Sequence, residues 1–300
     1  MDISGTIFAA LLTPFHDDGS VSEDGIKPLV DYILSQGVHG LYASGSTGES
    51  VLQSCEDRAM HLTSLAAYAR GKCTLIAHVG AASTGDAAAL AKLARDQGYD
   101  AVSAVPPYYY KHSFDDIRAY YTAIADAAEL PLVIYNIPAL SGTDLSTPKL
   151  LELMDDPRIG GVKYTALDLF QFGELRKSRP DRKFYFGTDE MFLGAAAMGA
   201  DGGIGSTYNL IGAFYAGIEK AVAAGEIDKA RELQRKANDL IAILIRTGVV
   251  SGLKYAMNRI GVPVGPCRAP FRAPVPGAVD ALDRWLDENG FEEGAAKALI

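Results

Sequence analysis

The stretch GGVKYTALD, residues 160–168, sets one ammonium group, Lys163, behind an apolar turn and strand. Burial disfavours a lysine's charged form, so its pKa falls and the neutral amine can attack a carbonyl carbon. The same stretch also suits a strand-end lysine whose stem lies along apolar surface while its head reaches water. Other reactive groups stand in similar settings. GSTGES carries Gly45, Ser46, Thr47, Gly48 and Glu49; its hydroxyls and backbone N–H groups suit a carboxylate or phosphate, or simply a hydroxyl-rich turn before a helix. Tyr135 and Asn136 precede IPALSG, and a phenol there either moves protons or packs. GTDE supplies Gly187 and the paired carboxylates Asp189 and Glu190, which could bind sugar hydroxyls or cap a helix. GIGSTYN adds Ser206.

Those groups need a scaffold that brings them together. Short β-rich apolar runs at 6–12, 40–44, 73–79, 101–106, 131–136, 160–164, 183–187 and 202–206 read as eight strands. Between them lie stretches of helical period, such as 22–37, 54–70, 83–98 and 113–128. Several open with Ser or Thr followed by acidic residues, and two run into Gly, the usual start and stop signals. Eight such units over roughly 220 residues predict an α/β fold of the (β/α)8 TIM-barrel type. An open dinucleotide-binding sheet would need G-x-G-x-x-G after the first strand, and FAALLTPF has none. Beyond 207 the pattern turns wholly helical. The expected division is a catalytic barrel over 1–224 and a C-terminal helical extension over 225–300 packed on it.

In such barrels the chemistry sits at the C-terminal ends of the strands. That rule sorts the lysines. Lys72 and Lys183 precede their strands, Lys111 lies out in a loop, and Lys163 alone falls at a strand end. Tyr135, Gly187 and Ser206 fall at strand ends in the same way, and Ser46, Thr47 and Asp189 follow directly after strands.

Composition narrows the remaining choices. The chain has 300 residues, 48% of them hydrophobic and 22% charged, and a net charge of -9. That balance offers nucleic acid or an anionic membrane surface no broad attraction. Three scattered cysteines without C-x-x-C fit reduced thiols and a cytoplasmic location. The N-terminal apolar run is too short to span a bilayer, so neither a signal peptide nor a membrane helix is expected. His16, His39, His61, His78 and His112 lack metal-ligand spacing, and there is no G-x-S-x-G elbow. Neither a metal nor an organic cofactor is expected.

Taken in order and spacing, GSTGE, YNIPALSG, the strand-end Lys163 and GADGGIGSTYN resemble the N-acetylneuraminate lyase/dihydrodipicolinate synthase superfamily along essentially the whole chain. The resemblance implies a pyruvate-handling class I aldolase, usually a homotetramer. The synthase branch usually carries an arginine after the strand-five tyrosine, where this chain has Ala139, Leu140 and Ser141, so the similarity is to the N-acetylneuraminate lyase branch. By that likeness Lys163 forms a Schiff base with the 2-keto carbon, and Tyr135 shuttles the proton. Ser46 and Thr47 hold the substrate carboxylate, and Tyr109 enters from a neighbouring subunit to complete a hydroxyl relay. Thr165, Gly187, Asp189, Glu190 and Ser206 hold the sugar acid. Two positions depart from the branch: Ala166-Leu167-Asp168 replaces a frequent SGD, and Val250 stands where an aromatic residue is common. They leave open a sister aldolase for another 2-keto-3-deoxy sugar acid, beside the less favoured synthase and a non-catalytic keto-acid binder.

Overall fold

The computed structural model describes residue 3 and residues 5–291. Strands and helices alternate: β1 (Ile7–Ala10), α1 (Ile26–Ser35), β2 (Gly40–Ala43), α2 (Cys55–Ala69), β3 (Thr74–His78), α3 (Thr84–Asp96), β4 (Ala101–Ala104) and α4 (Phe114–Ala128). There follow β5 (Leu132–Asn136), α5 (Pro138–Ser141), α6 (Thr147–Leu153), β6 (Ile159–Tyr164), α7 (Leu169–Ser178), β7 (Lys183–Phe186), α8 (Phe192–Ala197) and β8 (Gly202–Gly205). Four helices complete the chain: α9 (Tyr208–Ala223), α10 (Ile227–Thr247), α11 (Val249–Arg259) and α12 (Pro276–Glu288).

The eight strands run parallel in chain order and close between β1 and β8, giving the expected barrel. Two side-chain sets fill it. Inward-facing Phe8, Tyr42, Ile76, Val133, Tyr135, Tyr185 and Ile204 form the barrel interior. Outward-facing residues such as Leu41, Leu75 and Val162 join the helices in a larger core. Leu240, Leu244, Leu253, Met257, Leu282 and Leu286 from α10, α11 and α12 belong to that same core, so the C-terminal helices share the hydrophobic layer that surrounds the barrel. The stretch of the predicted extension at 292–300 lies outside the described residues.

Helix starts follow local chemistry where a side chain can cap. Ser54 with Asp57 and Ser113 with Asp116 form reciprocal capping boxes for α2 and α4. Ser83 accepts from the Asp86 N–H to start α3. The helix expected from Ser22 departs from this. Its N-cap is Gly25, without a side-chain cap, and the Ser22 N–H donates to the Pro14 carbonyl in the β1–α1 loop. Strand two ends one residue early, since Ser44 turns left-handed (φ 54°) and starts the loop toward α2. Strand eight likewise stops at Gly205, which leaves Ser206 in the loop beyond it. Among the described residues no single helix is long and apolar enough to cross a membrane.

Candidate active site

Parallel pairing determines which side chains meet in the barrel mouth. Tyr135 on β5, Lys163 on β6 and Tyr185 on β7 are register partners, so all three project into the interior at one level. Tyr42 reaches the same layer from β2. The Lys163 Nζ lies 4.1 Å from the centroid of the Tyr42 ring and 4.0 Å from that of Tyr135. With only 3% of its surface exposed, Lys163 has lost its water, and burial pushes its pKa down to about 7 while Asp189 pulls it up. The snorkelling alternative fails on this burial. The aromatic faces suit a delocalised cation on that nitrogen, and a neutral amine is accessible near neutral pH.

The surrounding rings are held rigidly. The Tyr42 hydroxyl donates to Ser103 Oγ (2.9 Å), which donates to the Val133 carbonyl (2.8 Å). His78, at the end of β3, sits edge-on to Tyr135 with ring centroids 5.8 Å apart. Burial holds its imidazole well below the usual histidine pKa, so it is neutral. The Tyr135 phenol is itself raised by burial, while the Ser46 and Thr165 hydroxyls favour its ionised form. It is therefore a protonated phenol whose anion has ready-made support.

Gly187 is where the β6 and β7 ends converge. A Cβ there would lie 2.0 Å from Thr165 Oγ1 and 3.3 Å from Lys163 Cε, so only glycine leaves the amine space. Asp189 follows in a 3₁₀ turn (Asp189–Met191). Its Oδ2 accepts from the Thr207 N–H (2.9 Å) and Thr207 Oγ1 (2.7 Å). Its buried Oδ1 has no hydrogen-bond partner among the described residues. Burial lifts this carboxyl to about 6 despite the Thr207 hydrogen bonds, which oppose the rise. An acceptor of this kind, buried and unpartnered among the described residues, suits a ligand hydroxyl. Thr47 Oγ1 and Ser206 Oγ lie 2.7 Å apart, joining the loops after β2 and β8.

Lys163, Tyr135, Ser46, Thr165, Gly187 and Asp189 thus form one mouth, with the Thr47–Ser206 pair at the β2 and β8 loops. Two of the expected residues stand apart. Glu190, next to the buried Asp189, is exposed, so the anticipated carboxylate pair is split between interior and surface. Tyr109 is 87% exposed on the loop after β4, left-handed at φ 80° and stacked edge-on with Tyr110.

Sequence reasoning overlooked several supporting groups. Tyr42 is the last residue but one of β2 and His78 the last of β3, and the strand-end rule applied to Lys163 reaches them too. Thr207 orients Asp189, which only the fold brings near. Arg58 on α2 is 3% exposed and donates to the Gly80 (2.9 Å) and His78 (2.7 Å) carbonyls. A second lysine, Lys254, is buried as well; its sequence setting in VVSGLKYAM is an ordinary amphipathic helix. Among the described residues no three His, Cys, Asp or Glu side chains gather as a metal would require.

Comparison with known proteins agrees along the length of the barrel. The profile of the Dihydrodipicolinate synthetase family matches residues 3–282. An N-acetylneuraminate lyase of Escherichia coli (strain SMS-3-5 / SECEC) is 46% identical over 286 residues, covering 94% of this chain and 93% of that protein. A Clostridium difficile protein crystallised with mannosamine superposes with a TM-score of 0.92 at 34% identity, over 96% of this chain and 99% of that one. An N-acetylneuraminate lyase from Fusobacterium nucleatum, complexed with pyruvate, gives 0.90 at 33% identity, over 95% and 96%.

Proposed function

The chain belongs to the dihydrodipicolinate synthetase family, and we propose that it is a class I aldolase cleaving N-acetylneuraminate reversibly to pyruvate and N-acetylmannosamine. The observation that carries the chemistry is the Lys163 amine, buried between the Tyr42 and Tyr135 rings with its pKa brought down to about 7. The sugar is supported by the 46% identical lyase and by relatives crystallised with mannosamine and with pyruvate.

The steps follow from the side chains. The neutral Lys163 amine adds to the 2-keto carbon. Tyr135, a phenol in the free enzyme, gives its proton to the departing hydroxyl, so water leaves and a protonated imine remains beside the phenolate. That phenolate takes the C4 hydroxyl proton, the C3–C4 bond breaks, and its electrons settle in an enamine on the lysine. N-acetylmannosamine departs; protonation of the enamine carbon and hydrolysis release pyruvate and the free amine. Ser46, Thr47 and their backbone N–H groups hold the substrate carboxylate. Asp189 Oδ1 and Ser206, with Thr165 and backbone at Gly187, hold the polyhydroxyl tail, and Glu190 reaches its outer end.

The working form in this reading is a cytoplasmic homotetramer in which Tyr109 of a neighbouring subunit completes the relay from Ser46 to Tyr135. Two features support it: the outward-facing Tyr109, and free thiols at Cys55, Cys73 and Cys267. The loop after β6 presents an exposed Leu167, and that observation favours testing other 2-keto-3-deoxy sugar acids alongside.

The test incubates the protein with N-acetylneuraminate as sole keto acid, adds borohydride and maps the adduct by peptide mass spectrometry. A reduced pyruvate adduct on the Lys163 peptide is expected. An adduct only when pyruvate itself is supplied would keep the aldolase and discard this sugar.

A further inference from the structure

Glu49 ends the GSTGE loop in a left-handed conformation (φ 60°, ψ 32°) that costs a non-glycine residue energy unless its surroundings hold it there. Its carboxylate is buried and faces an equally buried cation: Glu49 Oε1 lies 2.8 Å from Lys254 Nζ on α11, with side chains 0% and 2% exposed. The other oxygen, Oε2, accepts from the Arg268 backbone N–H at 2.8 Å. Lys254 is anchored in turn by donation to the Pro266 carbonyl (2.7 Å) and sits 4.1 Å from the Phe15 ring centroid. The Arg268 guanidinium covers the same ring and pairs with Asp57 on α2 (2.6 Å).

The backbone transmits this anchoring to the carboxylate cradle. The Glu49 N–H donates to the Ser46 carbonyl (3.0 Å), closing a turn that contains Ser46 and Thr47. Inside that turn, the Gly48 carbonyl accepts from Thr13 Oγ1 (2.9 Å) and Gln53 Nε2 (2.6 Å). A buried ion pair gives little net stability by itself, because desolvating both charges costs about as much as their attraction returns. It does select one arrangement of the groups it joins.

We propose that Lys254 is a positioning residue for the substrate-carboxylate cradle, acting through Glu49, so that the C-terminal helices align Ser46 and Thr47 for the keto acid. This rests on the aldolase reading for what the cradle holds, but not for the clamp itself. Removing Lys254 takes away the cation that Glu49 Oε1 faces, and the turn relaxes to let the carboxyl group find water.

The test uses the full-length protein with Lys254→Met and with the double change Glu49→Gln, Lys254→Met. The double variant removes both charges and remains informative if the single one does not fold. Two quantities are read: the pyruvate concentration giving half-maximal borohydride trapping on Lys163, and deuterium exchange of the 44–53 peptide. Expected for both variants is a half-saturating concentration raised about tenfold or more, with a smaller change in maximal trapping. Faster exchange confined to 44–53 should accompany it. Parental half-saturation and parental exchange in either folded variant would overturn the proposal. So would a matched loss of trapping and thermal stability with exchange accelerated throughout the barrel, the pattern of a merely structural contact. If the parent protein forms no pyruvate adduct, the aldolase reading falls, and exchange at 44–53 alone decides the clamp.

Discussion

Lys163 and Tyr135 are direct register partners across the β5–β6 pair, and the lysine Nζ stands 4.0 Å from the centre of the tyrosine ring. The proposed nucleophile and proton carrier are therefore placed by two rigid strands, without help from a loop. The same ring that covers the amine carries the phenol proposed to exchange a proton with the substrate.

Replacing Lys163 with Ala should lower N-acetylneuraminate cleavage by at least about 10⁴-fold, as loss of a covalent nucleophile does. Pyruvate release, coupled to a dehydrogenase, measures it. A variant cleaving at the parental rate would sink the Schiff-base mechanism.

Imine formation needs the neutral amine. Burial puts the Lys163 pKa at about 7, so borohydride trapping of pyruvate should rise with pH through a midpoint near 7. Below that point it should fall about tenfold per pH unit. A midpoint close to the usual lysine range would mean that the amine is hydrated in solution.

Tyr135→Phe keeps the ring against Lys163 and removes only the hydroxyl. The turnover number for cleavage should fall by about 10²–10⁴-fold, the scale of a lost proton-transfer group. Thermal stability should change little by comparison. Steady-state kinetics beside a melting curve separates the two effects.

Asp189→Asn tests both the sugar and the electrostatics. Its carboxyl pKa is raised by burial to about 6 from the ordinary 3.8, so the native state keeps a proton that the unfolded chain releases. Between roughly pH 4 and 6 the parent should therefore lose stability as pH rises, by about 2–3 kcal/mol in total. The asparagine variant should lack that step in urea titrations across this range. It should also bind N-acetylneuraminate more weakly while still forming the pyruvate imine.

Gly187→Ala introduces no charge, only a methyl group 2.0 Å from Thr165 Oγ1. The crowding should cost about 1–3 kcal/mol of stability. Displacing Lys163 Cε, 3.3 Å away, should cut the rate of adduct formation by about 100-fold. A folded variant with parental trapping would show that the mouth accommodates the group.

The architecture was legible in the sequence because it is written locally. Short β-rich apolar runs, Ser-x-x-Asp caps at Ser54 and Ser113, and glycine stops at Gly37 and Gly98 each depend on a few neighbouring residues. Once the strands were counted, the rule that chemistry sits at their C-terminal ends singled out Lys163 from Lys72, Lys111 and Lys183. Boundaries moved at some ends: α1 starts after Gly25, while Ser22 lies back in the β1–α1 loop with its N–H on the Pro14 carbonyl.

Tertiary structure alone decided what lies next to what. Asp189 and Glu190 are adjacent in the chain, yet one is buried under Thr207 and the other faces solvent. Lys254 sits in an ordinary helical pattern, and nothing nearby announces that Glu49, about 200 residues earlier, receives its charge. Residue type and spacing determine which chemistry is available along a strand or helix. Closing the barrel determines how much water each group loses and which charge it meets, and those two quantities separate Lys163, buried between two aromatic rings, from Lys254, buried against Glu49.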